Sequence, residues 1–416
     1  MKIQVGEDIA FKRPLRVLFL NRSYWPDAEA TGQLLSELCE DLADQFEITV
    51  ICGQPNQNPK NEPFCRNGRE NHCGVTIERV RHPQWGKKFL PARAANLVGF
   101  LFTATVRAFC ISRPNIVVVE TDPFLLPILG TWLKWRHGSR LVVYLQDLYP
   151  DVAVELGKVK EGWLTGFLRW RLKLAYHRAN PIVVLSGDMK NRLVKWGLDG
   201  SRIVCLENWV DTSAVFPIKQ SNLLRDNQQL QDRFVVMHSG NMGLSQHLGN
   251  VLDASALIQD RTEIAMLMIG DGADRKNLEE LAKKLKLNNV RFLPYQPRED
   301  LAQSLSAADL HLISMDPQTH HCLMPSKFYG ILASGTAVLA VTAQDSELAT
   351  LIHEHQVGLT VSPGDPHALA TSLRWCCDHR EELALMGKRA RSLAVNQYDR
   401  KRQTARFAEL ALNPPL

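Results

Sequence analysis

Short, continuous apolar runs alternate along the chain with segments whose apolar positions recur every three or four residues, a pattern that predicts strands alternating with helices. Arg16 to Asn21 (RVLFLN) predicts a strand, a loop rich in turn formers follows, and Gln33 to Asp44 places Leu34, Leu35, Leu38, Leu42 and Ala43 at helical spacing. Strand runs return at Glu47 to Cys52, Ile116 to Glu120, Arg140 to Leu145 and Ile182 to Leu185. Each is apolar on both faces, as a parallel sheet covered by helices requires. Polar residues dominate Lys219 to Asp232, which reads as a linker, and a fresh strand starts at Phe234 to His238. A glycine-punctuated loop and a helix around His247 to Ile258 then mirror the beginning of the chain, followed by strands at Ala265 to Ile269, Val290 to Leu293, Leu310 to Ile313 and Ala337 to Val341. Glu381 to Leu412 reads as helical throughout. The expected class is therefore α/β, with two Rossmann-like domains in tandem whose strand C-terminal ends would face a cleft. The expected boundaries are a first domain over 1–212, a linker over 213–232, a second domain over 233–395, and a terminal helix over 396–416 able to pack back on the first domain.

The segment His320 to Ala340 (HHCLMPSKFYGILASGTAVLA) adds chemistry to this outline. Pro325 suits a first helical turn, Ser326 can cap unpaired backbone N–H groups, and the helix dipole with Lys327 favours a phosphate at the tip. A diphosphate-bearing ligand is the natural guest, and an ordinary capped helix is the plain alternative.

Composition narrows the classes. With 416 residues, 45% of them hydrophobic, the chain can build two ample cores and is not an intrinsically disordered protein. A formal charge of +5 is too weak to argue for nucleic acid, yet it suits an anionic ligand or an acidic membrane face. Nine cysteines at irregular positions, including the adjacent Cys376 and Cys377, argue against a disulfide framework and for a reducing cytoplasm; no zinc spacing appears. The N-terminal residues read as a short tail and not as a signal peptide, and the apolar stretches Ala94 to Val106 and Phe124 to Trp132 fall short of the roughly 20 residues a membrane span needs.

Seven segments together carry a family resemblance: SYWPDAEATGQLLSEL (23–38), VVYLQDLYPDVAVELG (142–157), VLSGDMKNRL (184–193), LENWVD (206–211), MHSGNMG (237–243), MIGDGADRKNLE (268–279) and MPSKFYGILASG (324–335). In this order and spacing the chain resembles the retaining glycosyltransferases of family 4, with the two-domain GT-B architecture, and especially the subset that builds colanic acid and O-antigen. The resemblance implies transfer of a sugar from a nucleoside-diphosphate donor to a hydroxyl with retention of configuration, by same-face attack assisted by the leaving phosphate. It makes the first domain the acceptor side and the second the donor side. A protein with this task needs to align donor and acceptor and to stabilise charge on the departing diphosphate. No cofactor or metal is expected, and UDP is favoured over GDP in the donor.

On the donor side the resemblance points to Gly240, Asn241, Gly243 and Gln246 in the glycine loop, Asp271, Gly272 and Tyr295 around the nucleobase, and Ser326, Lys327 and Glu347 near phosphates or ribose. Asn241 and Gln246 stand where many relatives carry Arg and Lys, which leaves Lys327 to supply the positive charge. Lys327 and Asp147 are the expected catalytic residues. On the acceptor side the candidates are Asp27, Glu29, Thr31, Gly32, Gln146 and Asp151, with a structural role the alternative for Asp151 and surface charges the alternative for Asp27 and Glu29. Gln146 replaces the histidine many relatives show and cannot switch protonation near neutral pH. The two glutamates that many relatives place on sugar and ribose fall on Cys322 and Gly330, which implies altered donor recognition. His320, His321 and Cys322 suggest a metal site, but with no matching second pair in sequence they read as a substrate loop.

Trp85 to Phe89 (WGKKF) and Trp163 to Arg178 (WLTGFLRWRLKLAYHR) interleave aromatics with Lys and Arg, a composition suited to an anionic bilayer surface. The resemblance implies a polyprenyl-diphosphate-linked saccharide as acceptor and a location in the cytoplasm, peripheral to the inner face of the membrane. Two other readings stay open at this point: a nucleotide-sugar epimerase on the same fold, and a sugar-nucleotide-binding partner without catalysis.

Overall fold

The computed structural model describes residues 14–56, 58, 62–85, 90–218 and 222–414. The predicted N-terminal tail, the Gly86 to Phe89 part of WGKKF and residues 219–221 of the predicted linker lie outside the described residues. The chain divides into two compact units, one running through Tyr144 with Leu174–Pro181, the other formed by Leu145–Lys173 and everything from Ile182 onward.

In the first unit the strands are β1 (Arg16–Leu20), β2 (Glu47–Cys52), β3 (Gly68–His72), β4 (Val75–Arg79), β5 (Ile116–Val119) and β6 (Arg140–Leu145). They run in the order β3-β4-β2-β1-β5-β6, parallel except for the β3–β4 hairpin. The four runs predicted as strands form the contiguous block β2-β1-β5-β6, and Phe19, Val50, Val118 and Val143 are wholly buried, as two covered faces demand. The hairpin is absent from the apolar pattern because its outer strand, GRENH, is polar. Cys73 and Gly74 make its two-residue turn at φ 49° and 80°, without the Asn-Gly pair that would have advertised it.

The second unit holds the parallel pair β7 (Ile182–Val184) and β8 (Ile203–Cys205) and a six-stranded parallel sheet. The sheet strands are β9 (Phe234–Ser239), β10 (Ile264–Ile269), β11 (Val290–Leu293), β12 (Leu310–Ser314), β13 (Ala337–Val341) and β14 (Gly358–Val361), in the order β11-β10-β9-β12-β13-β14. Alternate side chains feed two cores: Phe234, Val236, Met266 and Met268 join one apolar cluster, Val235, Met237, Leu267 and Ile269 the other. Counted from β9, this order is the doubly wound nucleotide-binding arrangement.

Two stretches depart from the sequence reading. Part of the polar linker folds: Asn222 caps the short helix Leu223–Asn227, Leu230 is fully buried, and Arg225 pairs with Asp309 at 2.5 Å. The C-terminal helix is broken at Tyr398 into Arg380–Gln397 and Arg400–Leu412, because Asp399 caps the second helix through Lys401 N and pairs with Val210. From the second helix Arg406 reaches Glu207 at 2.9 Å. All nine cysteines are free thiols, and no helix among the described residues is long and apolar enough to cross a membrane.

Candidate functional site

In the six-stranded sheet the connection order reverses between β9 and β12, and sheets of this kind bind ligands beyond the strand C-termini at such a reversal. β9 runs into Gly240 at φ 133°, and β10 into Gly270 at φ 136°. A Cβ on Gly270 would sit 1.9 Å from Gly240 O, and one on Gly272 would sit 2.4 Å from Met242 O, so the loops nest only because these positions lack side chains. Backbone bonds lock them together: Gly240 N donates to Ile269 O at 2.9 Å, Met242 N to Asp271 O at 2.8 Å, and Asp274 N to Met242 O at 2.9 Å. Gln246 Oε1 accepts from Gly243 N at 2.8 Å, and the Tyr295 hydroxyl donates to Asp271 O at 3.4 Å. Gly240, Asn241, Gly243, Gln246, Asp271, Gly272 and Tyr295 thus converge, although Gln246 spends its carbonyl oxygen on the loop itself.

Lys327, the first residue of the helix Lys327–Ala333, enters this cluster from the other side of the reversal. Its Nζ would lie 3.2 Å from a Cβ on Gly240 and stands 3.5 Å from His238 Nε2. His238 is fully buried; burial first, and then the neighbouring Lys327 charge, hold its pKa well below the usual value. The neutral imidazole can therefore accept from the ammonium. Burial pushes Lys327 down to about 8, and among the described residues no carboxylate pairs with it. Arg275, the other cation by the loops, is already engaged by Gly270 O at 2.6 Å and Glu279 at 2.8 Å. A half-buried ammonium beside the Gly240 loop, with no carboxylate on it among the described residues, is a site for an anion. His238 escaped the sequence reading because a histidine inside an apolar strand looks like core; its only signal was the glycine two residues on.

Comparisons with known proteins bear directly on this arrangement. Residues 30–209 match the family described as "Glycosyl transferase 4-like domain" and residues 220–393 match "Glycosyl transferases group 1". The chain is 26% identical to a probable glycosyltransferase, WbjE, of Pseudomonas aeruginosa over 80% of its own length and 84% of the relative's. It is 25% identical to a putative colanic acid biosynthesis glycosyl transferase, WcaI, of Escherichia coli K12, over 86% and 91% of the two chains. Among solved structures it resembles Anabaena HepE in complex with UDP, with TM-score 0.73, 16% identity and 95% and 99% coverage. It also resembles WaaG, a glycosyltransferase involved in lipopolysaccharide biosynthesis, with TM-score 0.69, 16% identity, and 95% and 100% coverage.

The chain is a glycosyltransferase of GT-B fold.

Several side chains of this glycosyltransferase stand differently from the sequence expectation. Ser326 has helical backbone angles and makes no capping bond; it is exposed, because the turn already closes from Phe328 N to Pro325 O at 3.1 Å. Glu347 does not stand free: its Oε2 accepts from Asp188 N at 3.1 Å, while Asp188 Oδ2 accepts from Glu347 N at 2.8 Å, so two helix starts cap each other. Ser346 is the N-cap of the helix Glu347–Glu354, accepting from Ala349 N at 3.2 Å. Asp151 is corrected from an open acceptor contact to an internal anchor. Its carboxylate, 1% exposed, takes Arg169 at 2.8 Å and Arg192 at 2.6 Å, with the Trp196 indole N–H at 3.3 Å. Cys322 is wholly buried and donates its thiol to Glu155 at 2.9 Å, so it points at the scaffold of its own unit.

In the glycosyltransferase's first unit, Asp27 organises its own loop. It accepts from Ser23 Oγ at 3.0 Å, Glu29 N at 3.2 Å and Asn56 N at 2.9 Å, and Glu29 accepts from Asn56 Nδ2 at 3.2 Å. The following helix begins at Ala30, so Thr31 lies inside its first turn. Gly32 is needed for packing, since a Cβ there would meet Ser23 Oγ at 2.5 Å. Nearby, and missed from sequence, Arg22 forks onto Asp122 at 3.0 Å, and the His82 ring, held below its usual pKa by burial, crowds Gly53. Gln146 is buried and Asp147 partly exposed in the turn after β6.

Proposed function

We propose that this glycosyltransferase moves a sugar from a nucleoside-diphosphate sugar, UDP favoured over GDP, to a hydroxyl of a lipid-linked saccharide in surface-polysaccharide synthesis, with retention at the anomeric carbon. The observation that carries the donor reading is the Lys327 ammonium, half-buried without a carboxylate against the Gly240 loop. The bound ligands named for HepE, UDP and UDP-glucose, support the same class of donor. Lys327 stabilises the diphosphate as the sugar departs, and the side-chain-free Gly240 and Gly243 let the phosphates approach the loop closely. Asp271, Gly272 and Tyr295 border the nucleobase, and Glu347 lies on the ribose side. Because the departing phosphate itself accepts the proton of the attacking hydroxyl on the same face, the reaction needs no carboxylate nucleophile and no metal at the diphosphate. Asp147 and Gln146, with Asp27, Glu29, Thr31 and Gly32, position the acceptor.

Peripheral attachment to the inner face of the cytoplasmic membrane fits two exposed apolar faces. In the helix Leu90–Cys110, Val98, Phe102 and Val106 recur every four residues on one exposed stripe, Phe102 at 69% exposure. In the helix Trp163–Tyr176, Trp163 is 84% exposed and Phe167 and Trp170 are exposed too, with Arg171 and Lys173 on the same helix.

The test is acceptor-dependent turnover. Incubated with labelled UDP- and GDP-sugars, the protein should transfer label to polyprenyl-diphosphate-linked saccharides and release nucleoside diphosphate only slowly without them. Conversion of the sugar nucleotide with no acceptor would make it an epimerase, and donor binding without turnover on any acceptor would make it a binding partner.

A further inference from the structure

We propose that Asp188, His320 and His321 form a binding site for a divalent cation of the zinc class, which clips the loop 316–322 to the start of the helix Gly187–Lys195. In the sequence the two histidines lacked a further ligand; the fold brings Asp188 to them across 132 residues of chain. One ligand atom from each residue lies within 4.8 Å of the others. Two imidazoles and one carboxylate are the donor set that borderline divalent cations prefer, with open positions left for water.

The decisive detail is His320. The residue is 7% exposed, and its Nδ1 lies 2.7 Å from Pro317 O. A carbonyl only accepts, so Nδ1 carries the proton and Nε2 presents a lone pair. That Nε2 is buried and has no hydrogen-bond partner. Burying a lone pair unmatched costs free energy, whereas a histidine whose outer nitrogen is fixed by a carbonyl is oriented as metal ligands are. The His321 ring sits 3.6 Å from that of His320, centroid to centroid. Asp188 is fixed by Glu347 N on Oδ2, so its position is set independently of the histidines. Asp345, with Oδ1 3.9 Å from His320 Nε2, stands by as a further oxygen donor. Zinc–nitrogen bonds of about 2.0–2.1 Å place tetrahedral ligand atoms roughly 3.3 Å apart, so side-chain rotation suffices to close the site. The site is separate from the diphosphate chemistry proposed for Lys327 and does not depend on that reading.

The test titrates Zn2+ into chelator-stripped full-length protein against a chromophoric competitor, with His320→Gln, His321→Gln and Asp188→Asn beside the wild type. Wild type should bind one equivalent at micromolar affinity or better and gain thermal stability on doing so; each variant should lose at least tenfold in that affinity. His72→Gln serves as control, since Glu40, His72 and Cys73 form a second group with ligand atoms within 4.8 Å of one another, and it should leave this binding event intact. His321, only partly buried, carries the test should His320→Gln disturb folding. Wild-type protein that binds no zinc at this level, or His321→Gln that binds as wild type does, overturns the proposal.

Discussion

Lys327 keeps a charge in a place that opposes it. Its pKa falls from 10.5 to about 8, so between those values the unfolded chain holds more protons than the folded one and unliganded stability rises with pH. Below about pH 8 the half-buried ammonium carries this cost in full. Lys327→Met should therefore raise the stability of the unliganded protein by about 1–3 kcal/mol at pH 7 in denaturant unfolding, and the gain should vanish as pH approaches 10.5. No gain at pH 7 would mean that the ammonium is hydrated after all. Asp151 presents the opposite case, a buried carboxylate balanced by two guanidinium groups. Asp151→Ala leaves Arg169 and Arg192 facing each other and should cost about 3 kcal/mol in the same measurement, with donor binding retained.

The glycine-nested loops give the element-scale prediction. Gly270→Ala meets both a clash with Gly240 O at 1.9 Å and a φ of 136° that alanine avoids, so it should destabilise the protein by at least about 2 kcal/mol and weaken nucleotide binding. Gly330→Ala, whose Cβ would meet only Leu305 at 3.4 Å, should be nearly neutral in denaturant unfolding. Elements were legible in the sequence where burial on both faces made the run continuous: β1, β2, β5 and β6, and again β9, β10, β12 and β13, follow their apolar runs closely. The β3–β4 hairpin was not, because a polar edge strand has no period to detect, nor was the helix break at Tyr398, where the apolar spacing continues and only the Asp399 cap interrupts it. The same contrast holds for side chains. Lys327 and the glycines could be named because the Pro-Ser-Lys helix start and the glycine loop after β9 are local motifs, readable without knowing what distant residue meets them. The partners of Asp151, Cys322 and Glu347 could not, since each meets residues distant in sequence.

At the scale of the whole molecule, a mild net positive charge goes with exposed aromatic side chains on separate helices, and the proposed membrane attachment can be tested on both. The protein should cosediment with vesicles containing anionic lipid and much less with neutral vesicles, and Trp163→Glu combined with Trp170→Glu should reduce the bound fraction several-fold. Equal binding by the double variant would remove that helix as the attachment point. On the proposed reading one cation grips the diphosphate, and calorimetric titration of UDP into wild type and Lys327→Ala at pH 7 and pH 9 reads this directly. Wild type should bind at pH 7 and weaken clearly at pH 9, as Lys327 loses its proton near pH 8, while Lys327→Ala should bind at least tenfold more weakly at pH 7 with little further change at pH 9. Equal affinities and equal pH dependence in the two proteins would contradict the account.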